Sequence, residues 1–217
     1  VKSSKFSGKL VGTHQRLDQV ARKLLSYYLP RHQYFPSSKE ILRFEGSRGP
    51  DGLKRKSPDM DDPSHMLEGD GQALMQNILD HRYNLIQALK QKDTVRSAFE
   101  AAWMAHMITD GLTPAHHFPL SEVKDELMTD KEAVKIFGEP LKGVMRGRNF
   151  LETARNNWLY WGAGGHMSKH IAYEYGVAML VAALPHKALT PTLNPQDFTD
   201  LDLRTTFYHS LQIIQSY

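Results

Sequence analysis

The chain has 217 residues, 41% hydrophobic, 24% charged and 10% aromatic, a balance that fits one soluble globular domain, residues 1–217, and excludes a disordered chain. Twenty-seven Lys and Arg against 24 Asp and Glu leave a charge of +3, and the basic triplet Lys54-Arg55-Lys56 is too short for a nucleic-acid surface. With no cysteine there are no disulfides, thiolate nucleophiles or Cys-ligated zinc, so any metal must be held by imidazole and carboxylate.

Thr13, Leu17, Val20, Ala21, Leu24 and Tyr28 predict an amphipathic helix that Pro30 ends. Ser37 with Glu40 three residues on predicts a capping box before Ile41 and Leu42. From Glu45 to Gly71 the chain turns rich in Gly, Pro and Asp, which predicts a long loop; loops of that length are uncommon unless functional. Helices are then expected over Ala73–Lys92 and from Thr94 to Asp110, where Gly-Leu-Thr-Pro at 111–114 stops the second. A short helix near Ser121–Phe137 and a helix over Phe150–Trp161 follow. Gly-Ala-Gly-Gly at 162–165 breaks the chain before a helix from His166 to Leu184, and a last one runs from about Asp197 to Ser216. No run reads as a strand, and the longest apolar stretch, Val177–Leu184, is far short of the ~20 residues that span a bilayer. The class is all-α.

Eleven histidines stand out. Residues four apart share a helix face, so HxxxD and HxxxE offer two ligands to one cation; the chain has His14 with Asp18, His106 with Asp110 and His170 with Glu174. Chance alone supplies about one such pair in a chain of this composition, so spacing says little and facing says more. His106 and Asp110 continue the stripe of Val95, Phe99, Ala102 and Trp103, while His166, His170 and Glu174 extend that of Val177, Val181 and Leu184. Both helices are therefore expected to aim imidazole and carboxylate inward, where an unpaired carboxylate is costly.

The segment AWMAHMITDGLTPAHH, residues 102–117, resembles the core motif of the zinc-dependent phospholipases C, relatives of the secreted zinc-dependent single-strand nucleases. The motif is HxxxD, then five residues and a histidine, here His106, Asp110 and His116 with Pro114 in the spacer. GTHQRLDQVA at 12–21 resembles the family's first helix and places His14 in the site; DPSHM at 62–66 resembles the segment carrying His65, with Asp51 at the separation of the catalytic carboxylate; HIAYE at 170–174 resembles the closing motif. The pieces occur in family order from residue 12 to about 175. The resemblance implies a mostly helical fold around a cleft with two or three Zn2+ ions. His65, His106 and Asp110 would hold one, with Asp51 as a further ligand or general base. Asp110 would bridge to a second at His14, and His116, His170 and Glu174 would hold the third. Family members also use a terminal tryptophan's amine, where this chain has Val1. His166 or His117 is an alternative in the last set, and Asp59, Asp61 and Asp62 crowd the loop with Asp51.

The implied activity is hydrolysis of a phosphodiester, most simply a phospholipid headgroup, with peripheral membrane contact and a secreted or periplasmic setting. Single-stranded nucleic acid as substrate is the first alternative, though no stable nucleic-acid partner is expected; a non-catalytic helical module stabilised by metal is the second. Other residues read more plainly. Asp18, near Arg16 and Arg22, reads as a surface ion pair; His81 beside Asp80 as helix surface; His32, His186 and His209 as solvated; and Trp158, Tyr160 and Trp161 as core packing.

Overall fold

The computed structural model describes residues 12–30, 33–45, 49–50, 67, 70–118, 120–130, 144–189 and 202–216, and among them every regular element is helical. None of these helices is long and apolar enough to cross a membrane. The residues divide into two compact units, one drawn from Val1–His116 and Ala178–Tyr217, the other from His117–Val177.

In the first unit α1 spans Thr13–Tyr28 and ends two residues before Pro30. Gly12, not Thr13, caps it, donating its backbone N–H to Gln15 Oε1 at 3.0 Å. The expected capping box forms at Ser37, whose N–H meets Glu40 Oε2 at 2.7 Å while its hydroxyl accepts from the Glu40 N–H at 3.4 Å. It opens only a four-residue helix, α2 (Ser38–Ile41), which tightens into a 3-10 turn at Leu42–Phe44 and buries Ile41 and Phe44.

Two long helices, α3 (Gln72–Gln91) and α4 (Thr94–Gly111), form a hairpin around which this unit is built. Lys92 turns the chain in the left-handed region at φ 58°, and Asp93 N–H reaches back to Ala88 O at 2.9 Å, closing the end of α3. Asp93 then caps α4 through its carboxylate, 3.1 Å from Val95 N and 2.9 Å from Arg96 N. Val95 is half exposed, so the inward stripe begins at Phe99, which packs on Trp103 with ring centroids 4.8 Å apart. Small residues at 97, 98, 101 and 102 are all buried and let the hairpin close. His81 is likewise buried, a correction to its surface reading: it pairs with Glu100 across the hairpin, and Arg96 holds the other carboxylate oxygen. The last helix, α8 (Leu203–Gln215), is capped by Asp202 and lays Phe207 and Leu211 on the same core. It and α3 approach α4 so closely that a Cβ on Gly111 would lie 2.7 Å from Phe207 Cζ of α8 and 2.8 Å from Leu74 Cδ2 of α3.

The second unit contains α5 (Leu120–Leu127), α6 (Phe150–Trp161) and most of α7 (His166–Ala183). Asn149 starts α6, accepting from Glu152 N at 2.9 Å. Its inner face is polar: Asn156 donates to Leu127 O and Asn157 to Met145 O, while Thr153 accepts from Gly147 N. Trp158 is consequently 70% and Phe150 83% exposed, and of the expected aromatic core only Tyr160 is buried. The stripe read on α7, from His166 through Leu184, is its least exposed face but none of it is buried, because apolar residues encircle the axis, with Ile171, Tyr175, Met179 and Leu180 exposed.

Candidate metal centre

Asp110 stands in the last turn of α4, 1% exposed, with three imidazoles around its carboxylate. His106 comes from the preceding turn of the same helix and places Nε2 3.0 Å from Oδ2. His14, in the first turn of α1, places Nε2 3.0 Å from Oδ1, and its ring stacks on that of His106 with centroids 3.9 Å apart. His116 returns to the same carboxylate because α4 ends in consecutive turns. Leu112 N bonds Ile108 O, Thr113 N bonds Asp110 O at 2.9 Å, and a 3-10 turn at Pro114–His117 follows, closed by His116 N on Thr113 O at 2.9 Å. His116 Nε2 thereby sits 3.5 Å from Asp110 Oδ1.

Two carboxylates stand behind this group. Glu45, buried at the end of the 3-10 turn, lies 3.3 Å by Oε2 from His106 Nδ1. Asp18, 6% exposed and one turn after His14, has a buried Oδ2 with no hydrogen-bond partner. Its reading as a surface ion pair is overturned, and the arginines show why. Arg16 donates to Leu184 O and Arg22 to Pro36 O and Phe35 O, so both are engaged elsewhere and Asp18 turns inward.

The charges respond accordingly. Burial pushes Asp110 up, but the imidazoles of His106 and His14 outweigh it and hold the carboxyl well below its usual range. Burial pushes His14 down, and its bond to Asp110 reverses this, leaving the imidazole raised. Asp18 has only opposition from burial and from Glu45, with His14 and His106 too weak to compensate, and is pushed up to about 8.

The donor set fits a divalent cation. Ligand atoms of His14, His106 and Asp110 all lie within 4.8 Å of one another. A tetrahedral zinc with bonds of about 2.05 Å holds its donors roughly 3.3 Å apart, and the observed 3.0, 3.0 and 3.5 Å bracket that spacing. Asp110 Oδ2 and His14 Nδ1 are buried without a hydrogen bond, so the contact of Oδ2 with His106 is not angled as one. Nitrogen and oxygen donors of this kind suit zinc among the common cations, and manganese or iron would also fit by type.

Of the residues expected at the site, the first unit brings together His14, His106, Asp110 and His116. In the second, His170 Nε2 meets Glu174 Oε1 at 2.9 Å across one turn of α7, with the Glu174 side chain 41% exposed; His166 instead stacks on Phe118 at 5.2 Å. Asp51 and His65 lie outside the described residues, as do Asp59, Asp61, Asp62, the basic triplet and His32. Glu45 was not anticipated; it opens a segment read only as a loop, and no local spacing links it to a residue 61 positions on. Asp18 was visible as HxxxD and discounted for its arginines.

The chain matches no protein-family model, no curated protein and no solved structure.

Proposed function

We propose that this chain is a zinc-dependent phosphodiester hydrolase acting on phospholipid headgroups. The observation that carries the reading is Asp110, a buried carboxylate whose two oxygens each face a different imidazole, His14 and His106, with His116 close by. That is the arrangement expected of a carboxylate shared between two cations. His14 and Asp110 would hold one ion, His106 and Asp110 a second, and the pair His170 and Glu174 would contribute to another. The resemblance of residues 102–117 to the phospholipase C motif supports the same assignment.

Divalent ions there would supply neutralisation of the phosphate oxygens and acidification of water toward a pKa of ~7. The chain's own part is positional. Asp110 fixes two imidazoles face to face, α1 and α4 are tied together through that carboxylate, and the burial of His106, Asp110 and His116 limits the water that competes with substrate. Asp51 is the residue proposed to take the proton from the attacking water.

Elemental analysis of untagged protein never exposed to chelator tests the metal, and parallel assays on phosphatidylcholine vesicles, single-stranded DNA and a chromogenic phosphodiester test the substrate. Two or more zinc ions per chain with turnover of the lipid are expected. Turnover of DNA alone moves the assignment to a nuclease. One metal or none, with no hydrolysis of any substrate, makes the chain a non-catalytic helical module.

A further inference from the structure

His106 has a different acid on each side of its ring. Nε2 faces Asp110 Oδ2 at 3.0 Å and Nδ1 faces Glu45 Oε2 at 3.3 Å, with all three side chains essentially buried. A neutral imidazole carries one N–H, so a ring whose Nε2 ligates a cation on the Asp110 side keeps its proton on Nδ1, the nitrogen that faces Glu45. We propose that Glu45 is the positioning residue of the centre: it accepts the His106 Nδ1–H, fixes the ring's tautomer and plane, and leaves the Nε2 lone pair to a divalent cation. The inference rests on the metal reading above and assigns a role to a residue that the family resemblance does not reach.

The backbone is built to hold Glu45 still. The 3-10 turn Leu42–Phe44 is anchored by Phe44, whose ring meets Phe99 of α4 edge-on at 5.6 Å, and Glu45 follows in extended conformation. Gly49 then closes over it. A Cβ at that position would lie 2.9 Å from Glu45 Cα, closer than a side chain allows, and a tight 3.1 Å from Phe44 O. Phe44 anchors the turn on α4 while Gly49 crowds the backbone of Phe44 and Glu45. Partners of this kind behind a ligating histidine raise its basicity and fix its orientation, and their loss typically weakens metal binding 10–100-fold.

The test uses the full chain at one neutral pH. Zinc affinity is measured by competition with a chromophoric chelator for wild type, Glu45→Ala and Glu45→Gln, and the histidine nitrogens of zinc-loaded wild type are observed by nitrogen-15 NMR. Glu45→Ala is expected to lower affinity roughly 10–100-fold, with Glu45→Gln less affected because its amide oxygen still accepts from Nδ1. His106 is expected as the Nδ1–H tautomer. A zinc-loaded wild type with His106 protonated at Nε2 overturns the proposal without reliance on any variant, as does a folded Glu45→Ala that binds zinc within twofold of wild type. Wild type that binds no zinc overturns the metal reading itself, and this proposal with it.

Discussion

Replacing Asp18 by Asn should change stability in opposite directions with and without metal. In the metal-free protein Asp18 is held up to about 8, against 3.8 for the ordinary group, by burial first and by Glu45 second. The folded chain therefore keeps a proton on Asp18 that the unfolded chain has lost. Unfolding releases that proton throughout the interval, and stability contributed at acid pH declines as pH rises through it. Each tenfold fall in proton activity is worth about 1.4 kcal/mol, so by neutrality the accumulated cost approaches about 4 kcal/mol, and relaxation around a buried charge reduces this to about 2 kcal/mol. Asn keeps the shape and the neutrality but has no proton to lose. Urea unfolding in chelator, followed by circular dichroism from pH 4 to 8, should show the two proteins equal at the acid end and Asp18→Asn more stable by about 2 kcal/mol at neutrality. With zinc in excess the order should invert, because an ionised carboxylate near a divalent cation is favourable and Asn forfeits the attraction. Equal pH slopes for the two proteins in chelator would refute the reasoning, since they would mean that Asp18 titrates normally in the fold.

Removing the shared carboxylate, Asp110→Ala, should abolish both stoichiometric zinc and phosphodiesterase activity, as read by elemental analysis and a chromogenic assay. Gly111→Ala should cost about 1–3 kcal/mol in urea unfolding, because the added methyl meets Phe207 and Leu74 where α8 and α3 press on α4. Glu100→Ala strips His81 and Arg96 of a common buried partner and should cost about 3–5 kcal/mol. Its zinc content should match wild type, a contrast with Asp110→Ala that separates fold from site.

Local signals served the sequence reading where a side chain or proline decides an end. Phe150–Trp161 forms with the boundaries expected because Asn149 starts it and the glycines after Trp161 stop it. Likewise the inward aim of His106 and Asp110 followed from the phase of Phe99, Ala102 and Trp103 on one helix. Gly12 was missed as a cap because its contribution is a backbone N–H, invisible in residue type. The acids behind the site escaped for a different reason. Glu45 acquires its meaning only when a turn far away in sequence is packed against α4, and Asp18 turns inward because carbonyls of Leu184, Pro36 and Phe35 claim the neighbouring arginines. His81 shows the same limit, since its partner Glu100 lies on the other arm of the hairpin.

The position of Asp110 and His106 in the last two turns of α4 ties the electrostatics of the helix to any cation held there. Peptide dipoles along α4 leave partial negative charge where its last carbonyls emerge, and a positive species resting there is attracted by the helix as a whole as well as by its ligands. Loading the site should therefore tighten the amide hydrogens around Ile108 to Thr113 against exchange with solvent. Stripping it should lower that protection first at this end, ahead of the middle of α4 around Phe99 and Trp103.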